Sequence, residues 1–198
     1  MRRHLLVWEL AGVVFTVMAG SLLHFVYEWS GGSPLAAAFS AVNESTWEHM
    51  KLLFMPALVY SLAETFFCQK DCACLLPARV TGLLIGLLFI PIAFYSYSGI
   101  IGKSFSAVNI LIFAISVFLT FYLSFRIAES VRQQTPGNST ESQKPEQCRY
   151  LSENAAYTIL LVLFLLFLIF TYVPPQIGLF QNPLTGEYGI PSAQVSQE

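Results

Sequence analysis

The 198 residues carry a formal net charge of −2, are 55% hydrophobic and only 11% charged, and have a mean hydropathy of +0.60. That composition excludes an ordinary soluble domain. With no basic cluster beyond Arg2 and Arg3, it also excludes a nucleic-acid-binding face. The length allows one polytopic membrane domain over residues 1–198 with short loops.

Arg2, Arg3 and His4 precede an apolar run over roughly 5–27, the first expected span. Val17-Met18-Ala19 has the small-residue look of a signal-peptide cleavage site. Glu9 interrupts the run, however, and the apolar stretch reaches Tyr27, so an uncleaved helix is expected. Ala19-Gly20-Ser21 is a small-residue patch that lets another helix approach closely in lipid. WSGGSP then makes a turn, with Ser33 as N-cap and Pro34 at the first helical position. The following LAAAFSAV is too short to span and reads as an interfacial or re-entrant piece.

A second span is expected over roughly 50–67, longer if it starts back at the NEST segment; it carries Pro56 and Glu64. A third, over 80–98, contains Gly82-x3-Gly86, a helix-packing spacing, and Pro91, which predicts a kink. Tyr95 and Tyr97 follow as interfacial anchors. A fourth, over 105–125, carries Asn109 with scattered Ser and Thr. The polar 126–150 stretch reads as a loop, and a fifth span over 155–173 is nearly pure Leu, Phe and Ile. The tail from 174 to 198 keeps Ile177, Leu179, Phe180, Tyr188 and Ile190, so part of it is expected to lie on the membrane domain. The absence of an internal repeat weakens an inverted-repeat transporter.

The fold class is thus an all-α, five-helix transmembrane bundle. One side holds Arg2, Arg3, Lys70, Arg79, Arg126, Arg132, Lys144 and Arg149; the other holds only Lys51 and Lys103. Eight against two predicts a cytoplasmic N-terminus and an extracytoplasmic C-terminus. Cys68, Cys72, Cys74 and Cys148 then fall on the cytoplasmic side, where disulfides do not persist, and read as free interfacial thiols.

The chemistry gathers where spans one and two meet. HFVYEWS and NESTWEHMK place His24, Glu28, Glu44, Glu48, His49 and Lys51 within 28 residues. His24 and Glu28 share one helix face; Glu44, Glu48 and Lys51 share another stripe, and His49 is rotated about 100° from Glu48. Imidazoles and carboxylates together suit zinc, manganese or iron, with His24, Glu28, Glu44 and His49 as ligands, Glu48 as acid/base group and Lys51 as electrostatic stabiliser. The structural alternative is a Ser45-x-x-Glu48 capping box with Asn43 as a second N-cap, Glu48 pairing with Lys51, and Trp8, Trp29 and Trp47 as interface-belt residues. It leaves His24, inside an apolar run, unexplained. A proton path from Glu64 to His49 past Pro56 is a further expectation.

The segments GSLLHFVYEWSGG, AVNESTWEHMKLLFMPA and NPLTGEYGI resemble a family of small microbial membrane proteins classed only as a domain of unknown function. The resemblance implies a polytopic fold, in a bacterial or archaeal cell membrane, and no particular chemistry. Membrane hydrolases of the alkaline ceramidase type depend on a later H-x3-H pair, and no His follows His49 here. The functional expectation is a metal-dependent membrane-embedded enzyme acting on a lipid or amphipathic substrate. The alternatives are a small ion-coupled transporter and a non-catalytic accessory subunit.

Overall fold

A computed structural model describes residues 2–68, 74–134 and 151–191. Its helices are α1 (Arg2–Trp29), α2 (Pro34–Phe39), α3 (Thr46–Cys68), α4 (Leu75–Ile101), α5 (Ser106–Gln134) and α6 (Glu153–Tyr172), followed by a 3-10 turn at Gly178–Phe180. All but α2 are long and apolar enough to cross a membrane, which gives the five spans expected. Large apolar side chains such as Leu10, Met18, Leu88, Phe118 and Leu161 stay exposed along them, as lipid-facing surfaces require.

The helix starts differ from the sequence expectation, each for a local reason. α3 begins at Thr46, because Ser45 and Asn43 supply the cap: Glu48 N donates to Ser45 Oγ at 3.4 Å and Ser45 N to Asn43 Oδ1 at 2.8 Å. α4 begins at Leu75 rather than near 80. Pro77 falls in its first turn, where a missing N–H costs nothing. Arg79, counted above among loop cations, therefore lies inside the helix and is fully buried. α5 runs on to Gln134, so Arg126 belongs to a helix and not to a loop. Residues 135–150, most of the expected loop, lie outside the described residues.

α4 and α5 form the closest helix pair. A Cβ added at Gly82 would sit 2.3 Å from the Thr120 carbonyl oxygen, and one at Gly86 would sit 2.1 Å from Thr120 Oγ1. Gly20 does the same for α1 against α3, where a Cβ would meet the Leu52 carbonyl at 2.7 Å. The main core gathers Leu53, Phe54, Leu83, Val117, Phe121 and Phe167. Trp47, expected in an interface belt, is a core residue instead: its ring centroid lies 4.5 Å from that of Phe167 and 4.9 Å from that of Phe180. Phe180 thereby seats the tail on the bundle. A Gln181–Tyr188 bridge and the bond from Asn43 Nδ2 to the Gly189 carbonyl, 2.8 Å, hold the rest of the tail there.

Cys74 corrects the expectation of free thiols, since it is disulfide-bonded. The remaining cysteine side chains lie outside those described.

Candidate functional site

The sequence cluster resolves into two separate arrangements. In the first, Glu44, in the segment before α3, bridges two imidazoles. Its Oε1 lies 3.3 Å from His24 Nε2 on α1, and its Oε2 lies 3.5 Å from His49 Nε2 on α3. The two rings are 5.7 Å apart between centroids. His24, which capping alone leaves unexplained, thus meets a carboxylate, that of Glu44.

His49 Nδ1 is 3.0 Å from the Ser45 carbonyl, one helical turn back. A carbonyl only accepts, so Nδ1 carries the hydrogen and Nε2 is the nitrogen offered to Glu44. His24 Nδ1 is buried and has no hydrogen-bond partner. The hydrogen bond from His24, aided by the charges of His49 and His24, holds the Glu44 carboxyl below its ordinary range against the opposing effect of partial burial. Glu28 is exposed and acts on His24 only as a nearby charge.

His24, Glu44 and His49 line a cavity of about 460 Å3 between α1, α3 and α5. Ser21, Ser106 and Asn109 add polar atoms; Phe25, Leu52, Ile110 and Phe113 make apolar walls, and Leu184 reaches over from the tail. Glu44, His49 and Asn109 also border a second space of about 20 Å3, enough for one water. Asn109 is fixed by the Tyr97 hydroxyl, which donates to its Oδ1. Tyr97, expected as an interfacial anchor, thus serves this site.

The second arrangement takes Glu48 and Lys51 away from the imidazoles. Lys51 Nζ lies 2.6 Å from Glu48 Oε2 and donates to Thr171 Oγ1 at 2.8 Å and the Ala37 carbonyl at 2.9 Å. Glu48 also accepts from Val42 N at 3.2 Å, and the Thr171 hydroxyl sits 3.2 Å from its other oxygen. Lys51 is 0% exposed and Glu48 3%. These contacts hold α3 to α2, to the segment after α2 and to α6, and neither residue lines the cavity.

A third polar group was missed as a unit. Arg79 bonds Glu9 at 2.6 Å and Glu64 at 2.5 Å, and Ser124 donates to Glu9 at 3.0 Å. It lies toward the other end of α1: the 15 residues from Glu9 to His24 correspond to about 22 Å of helix. Two acids inside apolar runs call for a cation, and Arg79 was the nearest candidate on the same side of the chain.

Among the described residues, no group of three or more His, Cys, Asp and Glu is arranged to hold a metal ion. The model of DUF6512, described as a family of unknown function, matches residues 2–136 and 145–190. No curated protein and no solved structure matches the chain.

Proposed function

The chain belongs to that family of unknown function, and we propose that it is a multi-pass membrane protein whose His24–Glu44–His49 site takes an amphipathic molecule from the bilayer. The observation that carries the reading is one carboxylate shared by two imidazoles in the wall of a cavity that is otherwise apolar. The polar head sits on the imidazoles and its chain lies along Phe25, Ile110 and Phe113. The surplus of Lys and Arg at the opposite end of the bundle favours an extracytoplasmic placement for this site, with the N-terminus inside.

As an enzyme, the arrangement offers acid/base chemistry. His24 or His49 moves the proton and Glu44, charged at any pH above its depressed range, orients both rings. The same three side chains make a two-imidazole, one-carboxylate set. With modest rotations it would take zinc, manganese or iron, and Glu28 would stand outside it. Glu48 and Lys51 act in this reading by fixing the start of α3, not at the reacting atoms.

The test purifies the wild-type chain and a His24→Gln/His49→Gln variant in mild detergent and measures co-purifying lipid by mass spectrometry and metal by elemental analysis. The wild type is expected to retain an amphipathic molecule, with or without metal, that the variant loses while melting within a few degrees of it. Equal retention by both proteins, or no ligand and no metal in either, overturns the reading. Metal without lipid in the wild type, lost in the variant, would keep the site and discard the amphipathic ligand.

A further inference from the structure

The charges buried at the Glu9 end of the bundle do not balance. Two carboxyl groups, Glu9 on α1 and Glu64 on α3, meet one guanidinium, Arg79 on α4, and the three side chains are 4%, 1% and 1% exposed. α5 contributes the neutral Ser124 hydroxyl to Glu9 and the Phe121 ring, 4.1 Å from the guanidinium carbon. From α3 the Tyr60 ring lies 5.9 Å from that carbon, with its hydroxyl donating to the Trp8 carbonyl. Of the other ionisable groups of this end, Arg126 donates to the Tyr122 hydroxyl at 2.8 Å, and His4 lies edge-on to Trp8. No second cation among the described residues joins the cluster. Glu64 Oε1 and Arg79 Nε are buried with no hydrogen-bond partner.

With both carboxyls ionised the cluster carries one uncompensated negative charge in an apolar surround, and one carboxylate oxygen has no donor at all. Either feature is costly there. One added proton removes the net charge and leaves a single carboxylate opposite a single guanidinium. We propose that the Glu9–Arg79–Glu64 cluster is a proton-binding site, in which the two carboxyl groups hold one proton between them. Both carboxyl groups lie against the same guanidinium, so the proton is placed on the pair and not on either residue alone. Gain or loss of that proton switches the cluster between neutral and singly negative. It does so on α1 and α3, the two helices that also carry His24 and His49.

Infrared spectroscopy of the purified full chain, with glutamate carboxyls carbon-13 labelled, reads this directly. Exposed carboxyls are ionised near neutral pH, so a protonated-acid C=O stretch there reports a buried one. The wild type is expected to show such a band, shifted by the label. Glu9→Gln and Glu64→Gln should each abolish it, because one carboxylate facing one guanidinium needs no proton. Should one substitution prevent folding, the other decides. Glu48→Gln combined with Lys51→Met, which removes the other deeply buried carboxyl without stranding its partner, should leave the band in place in the folded protein. No band in the wild type, a band surviving Glu9→Gln or Glu64→Gln in a folded variant, or one lost in the folded Glu48→Gln/Lys51→Met variant overturns the proposal.

Discussion

At the scale of single residues, an ionisable group inside hydrocarbon is the most readable signal a membrane sequence offers, because it persists only with a partner. That logic singled out His24 and looked for its partner in Glu28 and the Glu44–Glu48 stripe; Glu44 is the one that meets it, and Glu28 stays exposed. It failed for Glu48 and Lys51, where helical stripes of three and four residues do not say which neighbouring helix a stripe faces. The partner that decides is Thr171, on α6 and distant in sequence. Glu48 is consequently more than a cap: its carboxylate neutralises a fully buried ammonium. Lys51→Met should lower stability in detergent by about 3–5 kcal/mol, since it strands a buried carboxylate. Adding Glu48→Gln to it should recover part of the loss. Thermal unfolding of both variants checks this; a single variant as stable as the wild type would mean that the pair does not hold α3 to α6.

Elements were legible in number and type, and less so in extent. Five apolar runs gave five helices, and the short apolar piece after WSGGSP became α2 with Pro34 at its start. α4 starts at Leu75, ahead of the apolar run over 80–98, because Pro77 in a first turn is harmless. The Gly82-x3-Gly86 spacing was correctly read as a contact surface, though its partner was not deducible. The backbone of α5 lies against it, so close that any Cβ at Gly82 displaces the Thr120 carbonyl. Gly82→Ala should therefore cost about 1–3 kcal/mol by overpacking. Gly99→Ala, on the same helix with nothing within 4 Å, should be neutral or slightly stabilising. Equal melting temperatures for the two variants would show that the α4–α5 approach tolerates a methyl group.

For the whole molecule, the direction of insertion rests on charge. Arg79 leaves the count because Glu9 and Glu64 neutralise it, which turns eight against two into seven against two and keeps its sign. The Cys74 disulfide pulls the other way, since such bonds persist in oxidising compartments and Cys74 stands at the cation-rich end. The chain cannot satisfy both rules, and the larger number of independent charges favours an internal N-terminus. Single cysteines at two exposed positions, Gln133→Cys and Thr185→Cys, in a background without native cysteines, decide between them. In intact cells an impermeant thiol reagent should label position 185 and spare 133. The reverse pattern would put the His24 site on the cytoplasmic face and leave the disulfide where it belongs.

The three-helix ion cluster also constrains the order in which the protein can be made. Glu9 leaves the ribosome first, Glu64 follows after α2, and Arg79 emerges last. Until α4 is delivered, two acidic helices wait in or beside the bilayer without their cation, and α4 alone would bring a charged arginine into lipid at about 2.5–3.5 kcal/mol. Each of the three helices is long and apolar enough to span on its own, yet each carries a charge that is matched only when all three are present. A nascent chain halted before residue 79 would hold Glu9 and Glu64 without the guanidinium that pairs with both.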